Sequence, residues 1–315
     1  MIDYLPGQFL TLVFLRSGIE ERRSYSFSSS PGLNEPLAIT IKRVANGEYS
    51  RRMIDHYETG DELITIGAAG MFTLPAQMMQ VKQLVFLAAG SGITPVFSLI
   101  KTVLYLYPYV KILLIYSNRS RDETIFLHAL ERLSDEFAGR FAIDFLFSNS
   151  SDINHARLSN YWLEVLLKKH GIAHQSNALF YLCGPFDYML MVNIALLSYG
   201  ILPAAIRKEH FSSMKPPPRE EPPDREPHQV KLIMGNQEHH FITQYPLSIL
   251  QKAKLSGVDL PYSCEAGRCG TCVARCVQGA VWMSNNEVLL DEEIKKGLIL
   301  TCTGYPASGD VVIEI

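Results

Sequence analysis

The chain has no field of positive charge. Its 29 Lys and Arg stand against 32 Asp and Glu, a formal charge of −3 with a pI of about 6.3, and no cluster of basic residues compensates locally. Nucleic acid and anionic membranes are therefore not expected as partners. The start, MIDYLPGQFLTLVF, lacks a basic region ahead of its apolar residues and a small-residue cleavage site, so no secretory leader is expected. A long unbroken apolar run is also missing. The most apolar stretch, Leu84 to Ile100, is interrupted by Gly90, Ser91, Gly92 and Pro95, the pattern of a buried strand running into a helix and not of a membrane span. Cysteine is nearly absent before position 260, and five of six follow it. Such bunching is metal-ligand spacing before it is a disulfide framework. None of the nine His shows a ligand spacing, and His239 with His240 read as a polar strand edge. What remains is a globular, cytoplasmic chain of 315 residues, 47% hydrophobic, long enough for two or three cored domains.

The chain divides at residues 212–228, SSMKPPPREEPPDREPH, where six prolines and seven charged residues without apolar periodicity predict a semi-rigid solvated linker. Residues 1–78 read as short strands between turn signals (LPGQFLTLVF, RSYSFSSS, LAITIKRV, ELITIGAAG), an antiparallel sheet or barrel. Residues 79–211 alternate apolar strands with helices: QLVFLAA, PVFSLIKTVLYLY, KILLIYS, DETIFLHALERLSDEF, FAIDFLFS, WLEVLLKKH, ALFYLCG, FDYMLMVNIALLSYG and IRKEHF. That order predicts a parallel, doubly wound α/β sheet. Residues 229–315 form a third, small domain. No internal repeat is present.

The densest chemistry lies in that last domain. YSCEAGRCGTCVARC supplies Cys264, Cys269 and Cys272 in C-x4-C-x2-C spacing, and Cys302 in LILTCTG follows after 29 intervening residues. This is the plant-type [2Fe-2S] spacing. Three thiolates must wrap a compact cluster from one loop, Gly267 and Gly270 let backbone N–H groups turn toward the sulfurs, and a distant strand closes the site. Structural zinc is the competing reading, although zinc sites usually pair two short Cys knuckles. Cys276 is superfluous to the four ligands and reads as a plain thiol.

Upstream, LVFLAAGSGITPVFSLI is a strand, a G-x-G-x-x-P turn at Gly90, Gly92 and Pro95, and a helix. Glycines allow close backbone approach to a pyrophosphate, Thr94 is placed to cap the helix, and Pro95 suits its start. The missing third glycine argues against an ordinary Rossmann dehydrogenase. KILLIYS ends in SNRSRDE, where Ser117, Arg119 and Arg121 suit a 2′-phosphate and so NADPH over NADH, although Asp122 and Glu123 stand close by. RRSYSFSSSPG, residues 22–32, poses a separate question. Period-2 alternation places Arg23, Tyr25 and Phe27 on one face and Ser24, Ser26 and Ser28 on the other, and by itself the stretch reads as a surface strand entering a turn.

The segments DLPYSCEAGRCGTC and GAVWMSNNEVLLDEEIKKGLILTCTGYP resemble the ferredoxin domain of phenylacetyl-CoA epoxidase reductases and related oxygenase reductases, which implies a β-grasp fold. The Gly90–Pro95 turn together with YLCGPFDYM, about ninety residues downstream, resembles the nucleotide domain of the ferredoxin–NADP reductase family. That resemblance places Cys183, Gly184 and Pro185 beside the nicotinamide; on its own, Cys183 reads as a buried thiol at a strand end. RSYS, Arg23 to Ser26, matches the family's R-x-Y-S flavin motif, and GEYS, Gly47, Tyr49 and Ser50 included, matches its second phosphate-binding segment. The implied roles are Arg23 on flavin phosphate, Tyr25 against the isoalloxazine, Ser26 near N5, and Gly47 with Ser50 on phosphate at a helix start. Strict alternation puts Ser26 on the wrong face for its role, so a bend or a backbone contact is required. Glu209 and Phe211 in KEHF match a segment near the flavin edge. Family flavin domains carry about two more strands ahead of PGQF, here Pro6 to Phe9, so a barrel open along part of its wall is expected.

The resemblance implies an NAD(P)H-dependent flavin and iron–sulfur reductase. FAD is expected over FMN, with Ser26, Cys183 and Glu209 at the reacting centre, a [2Fe-2S] cluster on the four cysteines, and a protein acceptor such as an oxygenase component. Flavin is the required intermediary because a nicotinamide releases two electrons together and the cluster accepts one. The alternatives are a non-enzymatic [2Fe-2S] carrier without flavin, a zinc-stabilised interaction module, and a diaphorase without a dedicated partner.

Overall fold

The computed structural model describes residues 2–16, 18–152, 156–173, 177–211 and 220–315. They form two compact units. One comprises Met1–Ser17, Arg23–Ala68 and Phe72–Phe211; the other comprises Gly18–Arg22, Ala69–Met71 and Ser212–Ile315.

Strands β1 (Phe9–Arg16), β2 (Ile19–Ser26, of which Arg23–Ser26 belong to the first unit) and β3 (Thr65–Ala69, all but Ala69 in the first unit) make a barrel-type sheet in the order β2-β1-β3. Leu10, Leu12, Phe14 and Phe27 bury against Tyr49 and Met53 of helix α1 (Glu48–His56). This sheet therefore has three strands among the described residues. The run 37–44 expected as a strand contributes only an isolated bridge between Ile39 and Phe27. Its partner stretch bonds to it over a few residues, Ser28 N–H to the Ala38 carbonyl at 2.9 Å and Thr40 N–H to the Ser26 carbonyl at 3.4 Å, and then turns to α2: Ser30 Oγ donates to the Ser98 carbonyl at 2.9 Å, and Ser98 Oγ donates to the Ser29 carbonyl at 2.6 Å. Arg23 and Ser24 are exposed on β2, whereas Ser26 to Ser30 are all buried, so RRSYSFSSSPG is a surface strand only in its first half.

The same unit holds a five-stranded sheet of β4 (Gln83–Ala89), β5 (Lys111–Asn118), β6 (Phe141–Phe147), β7 (Leu179–Cys183) and β8 (Ile206–Glu209). The order is β6-β5-β4-β7-β8 and every pairing is parallel. Period-2 alternation explains its two cores. Leu84, Phe86 and Ala88 face the helices α2 (Ile93–Leu106) and α3 (Leu127–Glu136). Val85 and Leu87 face α4 (Asn160–Lys169) and α5 (Phe186–Ser198). This is the doubly wound α/β layer expected from the sequence. Helix α3 begins five residues later than the periodicity suggests, because Phe126 adopts a left-handed conformation (φ 61°) immediately before it and stacks its ring on Phe97 at 4.3 Å.

The second unit is built on β9 (His228–Met234), β10 (Gln237–Thr243), α6 (Ile249–Leu255), β11 (Val273–Gln278), β12 (Val281–Met283), α7 (Asp291–Lys295), β13 (Leu298–Leu300), β14 (Gly304–Pro306) and β15 (Val311–Glu314). Its main sheet runs β10-β9-β15-β11-β13, with β9 and β15 parallel at the centre and antiparallel pairs outside. Ile249, Leu250 and Ala253 of α6 close the core over Val230, Leu232 and Ile313, which is the β-grasp arrangement. His239 and His240 lie on β10, an edge strand. Of the proline-rich stretch, residues 212–219 lie outside the described residues; residues 220–227 carry no helix or strand. There Asp224 Oδ2 accepts from the Ser308 N–H at 2.9 Å and from His228 Nε2 at 2.7 Å.

Candidate functional site

In a parallel sheet of this order the crossovers depart in opposite directions on either side of β4 and β7, and the crevice beyond their carboxyl ends receives ligands. Both glycine turns stand there. Gly90 (φ 54°) begins the turn after β4, and the Tyr116 hydroxyl of β5 donates to its carbonyl at 2.9 Å. A side chain on Gly92 would run into the Cys183 carbonyl and come within 2.8 Å of the Gly184 N–H. The two turns, far apart in sequence, are thus packed backbone to backbone. Thr94 does not cap α2 as expected; its hydroxyl donates to the Ser91 carbonyl at 3.0 Å, and Gly92 occupies the N-cap. Pro95 lies third in the helix and is buried.

At the end of β5, Ser117 Oγ and Asn118 Nδ2 are buried without a well-formed hydrogen bond, as is the hydroxyl of Tyr188 in the first turn of α5, which approaches Ser117. Buried polar atoms of this kind are normally paired, so the crevice suits a polar ligand such as a dinucleotide. Gly184 is also needed for room, since a Cβ there would lie 3.0 Å from Tyr188. Pro185 forms the exposed N-cap of α5. Arg119 is exposed, 3.9 Å from Glu123, whereas Arg121 is held by Glu131 of α3. Of the two arginines expected at a 2′-phosphate, one is therefore neutralised in place. Lys42 was missed by sequence reasoning: its ammonium lies 3.7 Å from where a Gly90 Cβ would stand. No local signal marks it, because it sits in an irregular segment.

The flavin-motif residues separate along β2. Ser24 is exposed and bonds to Thr11 at 3.0 Å. The Arg23 guanidinium lies 4.6 Å over the ring of Tyr49, and Tyr25 is half-buried. Ser26 is the last residue of β2 and buried, and its Oγ donates to Glu209 Oε1 at 2.8 Å. The alternation conflict dissolves because the strand ends at that point. Glu209 pairs in register with Cys183 across β7 and β8. Burial raises the Glu209 carboxyl to about 8, opposed by the Ser26 bond, and its Oε2 has no partner. Burial and the nearby Glu209 raise the Cys183 thiol well above its ordinary value. Ser26, Cys183 and Glu209, expected from three separate motifs of the same family, therefore converge. Phe211 is half-exposed. At α1, Gly47 is the N-cap; a Cβ there would lie 2.7 Å from Ser50 Oγ, which accepts from the Val44 N–H at 3.2 Å.

In the second unit all cysteines are free thiols. Cys264 and Cys269 form one hydrogen-bonded pair, and Cys272 with Cys302 forms another at 3.1 Å. The Cys269 thiol, helped by the N–H groups of Arg268, Ala266 and Cys269, lowers Cys264 to about 6 against the penalty of burial. Two thiol pairs side by side suit two irons with two thiolates each. Gly267 and Gly270 both have positive φ, 73° and 74°, as a loop turning its N–H groups inward demands. Cys276 lies on β11, half-buried, donating to the Gln278 carbonyl at 3.3 Å.

Fold and sites together define an oxidoreductase that joins a nucleotide-binding α/β domain to a ferredoxin domain. Residues 236–307 match the 2Fe-2S iron-sulfur cluster binding domain family, and residues 86–193 match the oxidoreductase NAD-binding domain family. The chain is 30% identical to one subunit of the 1,2-phenylacetyl-CoA epoxidase of Escherichia coli K12, over 99% of this chain and 88% of that one. It is equally 30% identical to the ferredoxin reductase component of the 3-ketosteroid-9-alpha-monooxygenase of Rhodococcus rhodochrous, over the same shares. Phthalate dioxygenase reductase shares its fold over all of this chain and 89% of that one, with a TM-score of 0.57 at 24% identity. An intact type IV self-sufficient cytochrome P450 monooxygenase shares it over 99% of this chain and 37% of that one, with a TM-score of 0.74 at 20% identity. The chain belongs to the ferredoxin–NADP reductase superfamily, in the oxygenase-reductase branch that ends in a plant-type [2Fe-2S] ferredoxin domain. It is an NAD(P)H-dependent reductase that passes electrons from a pyridine nucleotide to a [2Fe-2S] cluster. No helix among the described residues is long and apolar enough to cross a membrane.

Proposed function

We propose that the chain binds FAD and relays electrons from NADPH through it to the cluster on Cys264, Cys269, Cys272 and Cys302, and from there to an oxygenase component in the cytoplasm. The observation that carries this reading is the buried bond between Ser26 and Glu209 beside Cys183. It joins the flavin motif of β2 to the nucleotide crevice. When bound, the flavin supplies the conversion of a two-electron donor to a one-electron acceptor. The chain's own residues do the rest. Arg23 pairs with flavin phosphate, with Gly47, Tyr49 and Ser50 at the start of α1 beside it. Tyr25 lies against the ring, and Ser24 supports the strand through Thr11. Glu209, neutral below about pH 8, holds its proton at the unpartnered Oε2 while Ser26 occupies Oε1. Cys183, kept a neutral thiol, guards the nicotinamide with Gly184 and Pro185. Gly90, Gly92, Thr94 and Pro95 shape the pyrophosphate turn, and Ser117 with Arg119 receives the adenylate end, Arg121 acting through Glu131. An open cavity of about 530 Å³ at α1 is lined by Asn46, Glu48, Arg51, Arg52, Asp55 and His56, two arginines against two acids, so the preference for FAD over FMN rests on the family resemblance.

The working division is a flavin domain at 1–78, a nucleotide domain at 79–211, a linker at 212–228 and a ferredoxin domain at 229–315. The test is the visible spectrum of the purified protein before and after anaerobic NADPH. Flavin and iron–sulfur bands that both bleach are expected. Cluster bands alone, unresponsive to NADPH and NADH, overturn the flavin assignment.

A further inference from the structure

One side chain of the second unit lies far from the cysteine loop in sequence and against it in space. Met71 belongs with Ala69–Met71 in the unit that holds residues 212–315, and it packs on the small core of Cys272, Leu289 and Leu300, with Val288 and Cys302 at its margin. Gly270, between Cys269 and Cys272, is buried beneath it. A Cβ on Gly270 would come within 2.8 Å of Met71 Cγ and 3.7 Å of its Cβ. Gly270 therefore answers two demands: its positive φ turns the loop, and its missing side chain admits the thioether. Methionine suits such a place, being unbranched, polarisable and able to fill an irregular gap.

We propose that Met71 is a positioning residue for electron transfer: it is the apolar cover of the cluster loop and holds the reduction potential down by keeping water from the Cys269–Cys272 turn. The proposal rests on the assignment of the four cysteines to a [2Fe-2S] cluster. Reduction adds one electron to a group already made anionic by four thiolates, so a drier and less polar surrounding disfavours the reduced form. Solvent exposure is one of the quantities that sets such potentials. A polar side chain at position 71 brings dipoles and water to the loop and shifts the equilibrium toward the reduced cluster.

The experiment is a redox titration of the full-length holoprotein, followed by electron paramagnetic resonance of the reduced cluster, for the wild type, Met71→Gln, Met71→Ala and Met71→Leu. Iron and sulfide content is measured alongside. Met71→Gln and Met71→Ala are expected to favour reduction at least threefold, about 30 mV toward less negative potential at 59 mV per tenfold for one electron. Met71→Leu, which restores an apolar cover of similar volume, is expected to stay within that margin of the wild type. Two loaded variants, Gln and Ala, with unchanged potential overturn the role of Met71 while leaving the cluster assignment standing. A wild-type chain with no [2Fe-2S] signal and no sulfide overturns both.

Discussion

Gly92 and Cys183 touch through their backbones: the Gly92 Cα faces the Cys183 carbonyl so closely that no side chain fits between them. Gly92 has φ −62°, a conformation open to any residue, so it is glycine for space alone. Gly92→Ala must push the β4 and β7 turns apart. Overpacking against backbone predicts a loss of about 1–3 kcal/mol in unfolding free energy, read by urea denaturation, together with a large fall in the rate of reduction by NADPH. Unchanged stability would show that the two turns yield easily.

The Glu209 carboxyl should make stability depend on pH. Its value in the folded chain is raised from 4.5 to about 8, so between those limits the folded state holds a proton that the unfolded state has released. The contribution is fully present below about pH 4.5, declines as pH rises, and is lost above about pH 8, with a slope of at most about 1.4 kcal/mol per pH unit. Glu209→Gln should flatten that slope while preserving a partner for Ser26. Urea titrations at several pH values across the window check it.

Arg23→Ala should deplete the flavin and spare the cluster. Arg23 stands on β2 of the first unit, and the thiol pairs lie in the second. The flavin-to-iron ratio of the purified variant, from absorbance and iron analysis, is expected to fall several-fold. A variant with full flavin and lost iron would reverse the assignment of the two halves.

Lys42 and Arg119 should report on the dinucleotide. Lys42 stands beside the Gly90 turn, near phosphates common to both donors, so Lys42→Ala should raise KM for NADPH and NADH alike. Arg119→Ala should raise KM for NADPH more than for NADH, because only the former carries the 2′-phosphate. Arg121→Ala should do less, since Glu131 already holds that guanidinium. Steady-state kinetics with both donors separate the three.

The thiol pairs predict which cysteine matters. Cys302 faces Cys272 at 3.1 Å, so Cys302→Ala should abolish the iron–sulfur bands. Cys276 turns its thiol to the Gln278 carbonyl, away from either pair, and Cys276→Ala should leave iron content and spectrum intact.

The short-range chemistry was legible in the residues themselves. C-x4-C-x2-C on a loop with two glycines brings three thiols together by spacing alone, and alternation within β4, β5 and β7 sorts the side chains onto two faces before any packing is known. Caps and turns were less legible. Thr94 has the right type and place for a cap, yet the helix starts two residues sooner, at Ile93, and its hydroxyl turns back to Ser91. Ser26 looked misplaced only because the end of β2 is set by the serine run's bonds to α2.

The parallel doubly wound layer and the ferredoxin loop with its four cysteines could be read along the chain, because apolar periodicity and ligand spacing act over a few residues; the candidacy of Ser26, Cys183 and Glu209 came from the family resemblance of their short motifs. Folding in three dimensions added what no local pattern holds: Ser26 reaches Glu209 across 183 positions, Glu131 claims Arg121, and Lys42 and Met71 stand beside loops remote from them in sequence. Such pairings depend on where the crossovers return the chain and on which buried polar atoms must find a partner, and neither is encoded in the neighbours of any one residue.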